Sequence, residues 1–242
     1  MRVQLFVTCL VNSLYPNVGK ATVALLERAG YQVEFPVDQT CCGQPAYNGG
    51  FDTEARAQTK QTLDVLDATE GTIVVPSGSC AAMLIHHSPE LVADDPRYGL
   101  KAERVAARTR ELTQFLVEDA GYEPATTDCG GCTATYHASC HALRGLGIRE
   151  QPKALLDAAG VDRVELEGED ECCGFGGLFS IEAPEVSGAM MNTKIDRIEA
   201  SGADVVVGVD VSCLMNIGGG LRRKNSSVIT KHLAEILAGD VV

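Results

Sequence analysis

Short apolar stretches alternate along the chain with longer segments that have helical periodicity. Val3 to Val7 is mostly apolar and predicts a first strand. Apolar residues then recur every three or four positions in a segment that Pro16 opens and Gly30 ends, which predicts a helix. Strands that alternate with helices in this way are typical of an α/β protein with parallel sheets covered on both faces.

The same order of elements is predicted twice. Strands are predicted at residues 3–7, 31–35, 72–75, 134–138, 163–166 and 204–209. Helices are predicted at residues 16–29, 52–66, 101–120, 152–159, 184–200 and 229–237, with further helices after Cys80 and Cys213. The segment 121–131 has Gly, Pro, Thr and Asp without periodicity and predicts a linker. We therefore expect a first lobe at 1–120, a linker at 121–132 and a second lobe at 133–242.

A cysteine pattern repeats with the predicted elements. Cys41-Cys42-Gly43 occurs again as Cys172-Cys173-Gly174, 131 positions later. Each pair has one lone cysteine upstream and one downstream, and each cysteine follows a predicted strand or lies in a loop that leaves one. The two sets are Cys9, Cys41, Cys42 and Cys80, and Cys140, Cys172, Cys173 and Cys213. Because ligands collect beyond the carboxyl ends of parallel strands, we expect each set to gather at one edge of its sheet.

Four thiols from distant loops indicate a soft metal site. An iron–sulfur cluster is favoured over zinc, because structural zinc sites usually use CxxC knuckles rather than adjacent cysteines followed by Gly. Gly43 and Gly174 would let the backbone approach a cluster closely. Disulfides are disfavoured, because neighbouring cysteines bridge each other only with strain and nothing marks the chain as secreted. Redox-active thiols and simple packing remain as alternatives.

Composition limits the partners. The net charge of −13 and the pI of about 4.8 argue against nucleic acid or an anionic membrane as a partner. The sequence contains no apolar run of transmembrane length, and its first residues are expected to form a core strand rather than a signal peptide. With ten cysteines, the chain is expected to reside in a reducing cytoplasm, where its thiols serve metals or chemistry.

Three long phrases of the sequence are LFVTCLVNSLYPNVGKATVALLERAGYQVEFPVDQTCCGQPAYN, YHASCHALRGLGIREQPKALL and ECCGFGGLFSIEAPEVSGAMMNTKIDRI. They resemble a known family, the cysteine-rich CCG-domain proteins, and within it most closely the lactate-utilisation proteins. More distantly, the chain is similar to the cysteine-rich subunits of heterodisulfide reductase, glycerol-3-phosphate dehydrogenase and glycolate oxidase.

The resemblance implies an iron–sulfur electron-transfer subunit of a multi-protein system that oxidises L-lactate to pyruvate. It implies two companion subunits, one of them a ferredoxin-like iron–sulfur protein. The fullest CCG pattern ends in CxxC and holds non-cubane clusters, whereas this sequence has Ser77 and Asp210 where the first of those cysteines is expected. Each set therefore offers four thiolates, which is enough for one [4Fe–4S] cluster per lobe. A heterodisulfide-reductase-like thiol protein and a zinc-stabilised scaffold are the alternative functions.

Several residues lie outside this pattern. Cys129 and Cys132 form a CxxC motif that belongs to neither set, and we interpret them as incidental linker thiols. His137 and His141 flank Cys140, and the sequence leaves open whether they tune a cluster or simply pack.

Overall fold

The structure is a computed structural model and describes residues 1–127 and 132–239. The first half contains strands β1 (Arg2–Leu5), β2 (Gln32–Glu34), β3 (Thr72–Val75) and β4 (Thr109–Glu111). Its helices are α1 (Cys9–Leu14), α2 (Pro16–Arg28), α3 (Gln44–Asn48), α4 (Asp52–Asp67), α5 (Gly78–Ala82), α6 (Ser88–Leu91), α7 (Pro96–Ala107) and α8 (Leu112–Gln114). Two π-helical segments, Met83–His87 and Phe115–Asp119, continue α5 and α8.

The second half repeats this arrangement. Its strands are β5 (Thr133–His137), β6 (Asp162–Arg163), β7 (Val205–Gly208) and β8 (Ile229–His232). Its helices are α9 (Gln151–Ala158), α10 (Phe179–Glu182), α11 (Pro184–Ala200), α12 (Val211–Arg223) and α13 (Leu233–Ala238), and a π-helical segment covers His141–Gly145.

Each half forms one four-stranded parallel sheet with the same strand order. The orders are β2-β1-β3-β4 and β6-β5-β7-β8. In the first sheet Val3 lies between Val33 and Thr72, and in the second Ala134 lies between Arg163 and Val205. The predicted α/β architecture of two pseudo-repeated units, each with a parallel sheet flanked by helices, is confirmed.

The predictions of two helices are wrong in part, because a segment of each one forms the fourth strand of a sheet, which the sequence pattern did not predict. The helix predicted at 101–120 is interrupted by β4, where Thr109 and Arg110 pair with Ile73 and Val74 at the edge of the sheet. The helix predicted at 229–237 begins only at Leu233, because the preceding four residues pair with β7 as β8. Pairing with a formed sheet overrides the local helical pattern of these short segments.

The two halves share one core. A single buried cluster includes Val3, Leu25 and Phe115 from the first half and Tyr136 and Leu233 from the second. Helix α13 packs on α2, and helix α8 packs on α9, so the helix after each fourth strand covers the other half. Arg28 of α2 donates to the carbonyl of Ala238 at 3.1 Å, at the end of α13. Burial of this apolar surface holds the two sheets in one arrangement.

The part of the chain that the structure describes contains no helix with both the length and the apolar character needed to cross a membrane.

Candidate metal centres

The first cysteine set lies at the carboxyl edge of the first sheet. Cys9 begins α1 just after β1, and the Cys41-Cys42 pair lies in the loop between β2 and α3. Cys80 lies in the first turn of α5, just after β3. Three strands that end at the same edge therefore deliver all four thiols to one place.

The four sulfurs of this set form a connected group. The sulfur of Cys42 lies 3.2 Å from the sulfur of Cys80. The thiol of Cys41 is hydrogen-bonded to those of Cys9 and Cys42. All four cysteines line one cavity, and none of them forms a disulfide.

The second set has the same arrangement. Cys140 and Cys173 are each hydrogen-bonded to Cys172, and Cys173 is also hydrogen-bonded to Cys213. These four cysteines line a second cavity beside the first, and they too are free of disulfides. The side chains of Gln44, Phe175 and Asp210 help to line both cavities. The structure thus brings together both of the sets that the sequence predicts.

The glycine after each cysteine pair has a backbone conformation that other residues rarely adopt. Gly43 has φ of 91° and Gly174 has φ of 85°. A Cβ atom on Gly174 would lie 2.5 Å from the carbonyl oxygen of Ser187. In addition, the backbone N–H of Gly174 donates to the sulfur of Cys172 at 3.4 Å. The glycine therefore sets the direction of the thiols as well as the turn of the loop.

The central thiol of each set is acidic. Hydrogen bonds from the neighbouring thiols lower the pKa of Cys41, and those from Cys140 and Cys173 lower the pKa of Cys172. The same contacts raise the pKa of Cys42 and of Cys173, and burial adds to that rise. Within each set one thiol therefore ionises more readily than its neighbours, and thiolate is the form of cysteine that binds metals.

Ser77 and Asp210 occupy equivalent positions and cap the helices that carry the last cysteine of each set. The Ser77 hydroxyl accepts from the N–H of Cys80 at 3.3 Å, and Asp210 Oδ1 accepts from the N–H of Ser212 at 3.2 Å. Asp210 Oδ2 accepts from the N–H of Ser79 at 2.8 Å and faces the Ser77 hydroxyl at 3.3 Å. The two residues that replace a fifth cysteine thus bind each other across the two halves.

The two histidines beside Cys140 differ in their surroundings. His141 is partly buried, its ring lies 3.5 Å from the amide nitrogen of Gln44, and burial lowers its pKa. His137 is 1% exposed, and burial lowers its pKa to about 3. Neither ring nitrogen of His137 makes a well-aligned hydrogen bond, although the carbonyl of Glu169 lies close enough to favour the protonated ring.

A buried lysine was missed by the sequence reasoning. Lys194 is 1% exposed and donates to the carbonyls of Gly168 at 2.5 Å and Glu169 at 3.3 Å. Its charge lies near the sulfurs of Cys140 and Cys173. The sequence does contain one indication that Lys194 is buried. It lies on the same face of α11 as Met191, Ile195 and Ile198, which are all apolar.

The CxxC motif outside the two sets is only partly described. Cys129 lies outside the described residues, so the interpretation of this motif stays a prediction. Cys132 is partly buried and packs against the shared core.

The donor chemistry of both sets fits an iron–sulfur cluster. Each set offers four converging thiols, and the glycine after each cysteine pair allows close backbone approach. Thiolates also bind zinc, so the geometry alone does not choose between these metals. The assignment of the eight cysteines as cluster ligands therefore stays a prediction.

Comparison with known proteins places the chain in a family. A family model described as a cysteine-rich domain, CCG, matches residues 3–85 and 134–218. This chain is 46% identical to the protein named lactate utilization protein A of Shouchella clausii, over 98% of both chains. It is also 46% identical to the protein of the same name from Bacillus subtilis, over 98% of this chain and 99% of that protein. This chain belongs to the lactate utilization protein A family of CCG cysteine-rich domain proteins.

A solved structure shows the same fold at low identity. A hypothetical protein from Helicobacter pylori superposes with a TM-score of 0.67 at 13% identity. The match covers 98% of this chain, which spans about half of the length of that protein. At this identity the likeness concerns the fold alone.

Proposed function

We propose that this protein is an iron–sulfur electron-transfer subunit of a cytoplasmic multi-protein system that oxidises L-lactate to pyruvate. The observation that carries the proposal is the convergence of two sets of four thiols at equivalent sheet edges. The names of the relatives connect such a chain with lactate. When bound, an iron–sulfur cluster supplies a one-electron redox couple.

The number of sites matches the proposed reaction. Oxidation of one L-lactate to pyruvate releases two electrons and two protons, so two one-electron sites on one chain would take up both electrons. Cys9, Cys41, Cys42 and Cys80 would hold one [4Fe–4S] cluster, and Cys140, Cys172, Cys173 and Cys213 would hold the other. Shared lining residues keep the two cavities side by side.

The protein's own residues would hold and tune these centres rather than act on lactate. The two cavities are lined mainly by thiols, hydroxyls and the carboxylate of Asp210. We therefore propose that lactate and the electron acceptor are handled with companion subunits, a ferredoxin-like iron–sulfur protein and one further subunit.

The composition of the purified protein tests the nature of the metal. Anaerobically purified protein should be brown, absorb broadly in the visible range and contain about eight iron atoms and matching acid-labile sulfide per chain. A colourless protein with stoichiometric zinc would replace this proposal with a zinc-stabilised scaffold.

A growth experiment tests the connection with lactate. A strain that lacks this gene should not grow on L-lactate as sole carbon source, and the wild-type gene should restore growth. The doubly substituted gene, Cys42→Ser with Cys173→Ser, should not restore it, whereas growth on glucose serves as the control. Normal growth of the double variant on L-lactate would rule out the proposed role of these thiols.

A further inference from the structure

His137 lies against the second set of thiols. It is the last residue of β5, which lies between β6 and β7 in the second sheet, and its side chain is 1% exposed. One of its ring nitrogens and the sulfurs of Cys173 and Cys213 all lie within 4.8 Å of one another. Three donor atoms at this separation are close enough to share a metal centre.

The equivalent position in the first half is apolar. Phe6 precedes His137 by the same 131 positions that separate the two cysteine pairs. It is fully buried in the cluster that contains Cys42 and Cys80. The second half therefore has an imidazole ring at the position where the first half has a phenyl ring. Burial of a polar ring without well-formed hydrogen bonds is unfavourable unless the ring binds a ligand.

The surroundings of the ring suit a metal-binding histidine. Neither of its ring nitrogens has a hydrogen-bond partner among the described residues, and both are buried. In a neutral imidazole ring one nitrogen carries the proton and the other keeps a lone pair, which is the form that binds metals.

We propose that His137 is a nitrogen donor to the metal of the second set, beside Cys173 and Cys213, as an additional ligand to an iron that already holds a thiolate. This inference rests on the proposed iron–sulfur function and deepens it. The first centre would be bound by cysteine alone, whereas the second would have cysteine and histidine, so the two halves would hold chemically different clusters.

Pulsed electron paramagnetic resonance on the reduced protein tests this inference without disturbing the fold. Wild-type protein is prepared with histidine that carries ¹⁵N only in the ring, and its spectrum is compared with that of unlabelled protein. A coupling typical of iron-bound nitrogen should change from ¹⁴N to ¹⁵N character. The Cys42→Ser variant, which keeps the second set, should retain this coupling, and Cys173→Ser, which keeps the first, should lose it.

Matched variants identify the residue. His137→Phe introduces the residue found in the first half and should abolish the ring-nitrogen coupling. His141→Phe alters the other histidine at this cavity and should leave the coupling in place.

The outcomes separate this inference from the function on which it rests. Clusters that form normally in the labelled wild-type protein but show no ring-nitrogen coupling would overturn the role of His137 alone. Loss of the coupling in His141→Phe with retention in His137→Phe would do the same. A wild-type protein that holds no iron would contradict both proposals.

Discussion

At the residue scale, a buried lysine of α11 lies beside the second cysteine set. Lys194 places a buried ammonium group near Cys140 and Cys173. Its carbonyl partners, Gly168 and Glu169, precede the second CCG loop in the chain. Lys194 therefore both positions this loop and supplies a positive charge to the second site.

Replacement of Lys194 should change the second centre more than the first. In Lys194→Met, loss of a nearby positive charge should shift the reduction potential of the second cluster to more negative values. Each of the two carbonyls would lose one of its two donors, which should destabilise the protein by about 1–3 kcal/mol. A redox titration followed by electron paramagnetic resonance measures the potential, with Lys20→Met on the exposed side of α2 as the control. An unchanged potential would show that Lys194 acts only through the loop.

Glu111 gives the fold a dependence on pH. It is fully buried at the end of β4, one of its oxygens lacks a hydrogen-bond partner, and burial raises its pKa from an ordinary value of 4.5 to about 7. The folded state thus holds this proton more tightly than the unfolded state. Stability should fall as the pH rises from about 4.5 to about 7 and stay level above that, by up to about 3 kcal/mol.

The variant Glu111→Gln isolates this effect. It cannot ionise, but its amide oxygen can still accept from the N–H of Thr113, which Glu111 binds at 2.8 Å. We expect the melting temperature of the variant to fall less between pH 5 and pH 8 than that of the wild type. Glu103→Gln, on the exposed face of α7, should behave like the wild type. Parallel pH profiles for all three proteins would contradict the buried, proton-binding role of Glu111.

At the element scale, the sequence predicted helices with clear ends better than short strands. The helix predicted at 184–200 is α11, and the one predicted at 52–66 is α4 with one more residue. Proline in the first turn of α11 and acidic residues in the first turn of α4 mark these starts locally. Such signals lie within the element itself, so they can be read without knowledge of the fold.

The missed strands β4 and β8 have no such local signal. Thr109, Arg110 and Glu111 are mostly polar, and each becomes a strand residue only by pairing with β3. The same holds for Lys231 and its neighbours in β8, which pair with β7. Both are edge strands, where alternation of apolar residues is weakest, so their presence follows from the sheet rather than from their own sequence.

The close approach of α5 to the second half depends on a glycine. A Cβ atom on Gly78 would lie 2.7 Å from the Cβ of Ala142 and 2.9 Å from its backbone nitrogen. In Gly78→Ala, the two halves would have to move apart at a point between the two cavities. We expect a loss of about 1–3 kcal/mol in stability, measured by thermal or denaturant unfolding.

Gly188 provides the matched control. It lies in α11, and no atom would lie within 4 Å of an added Cβ. Gly188→Ala should therefore stabilise the protein by about 0.5–1 kcal/mol, because alanine is the better helix former. If both variants behave alike, the contact at Gly78 is not what limits the approach of the two halves.

At the scale of the whole molecule, the repeat in the sequence predicted which thiols meet but not how the two groups face each other. Matched spacing after successive strands is enough to place Cys9, Cys41 and Cys80 at one edge. The contact of Asp210 with Ser79 joins residues from different halves and depends on the packing of one sheet unit on the other. The sequence pattern within one unit therefore cannot predict this contact between the two units.

The two sets of thiols form two separate groups, and each group should hold its own centre. The thiols of each set contact other thiols of the same set. The residues that line both cavities include Gln44, Phe175 and Asp210, and none of the eight cysteines lines both. Loss of one buried thiol should thus remove one cluster and leave the other, because serine oxygen is a poor ligand for soft iron. Each sheet should keep most of its apolar core when its cluster is absent.

Iron and sulfide content of anaerobically purified variants tests this claim most directly. Cys42→Ser and Cys173→Ser should each contain about half of the wild-type iron and sulfide, on the basis of one four-iron cluster per set. Cys132→Ser, outside both sets, should contain as much iron as the wild type. Loss of all iron in either single variant would mean that the sets share one centre. Wild-type iron content in both variants would mean that the paired cysteines are not ligands.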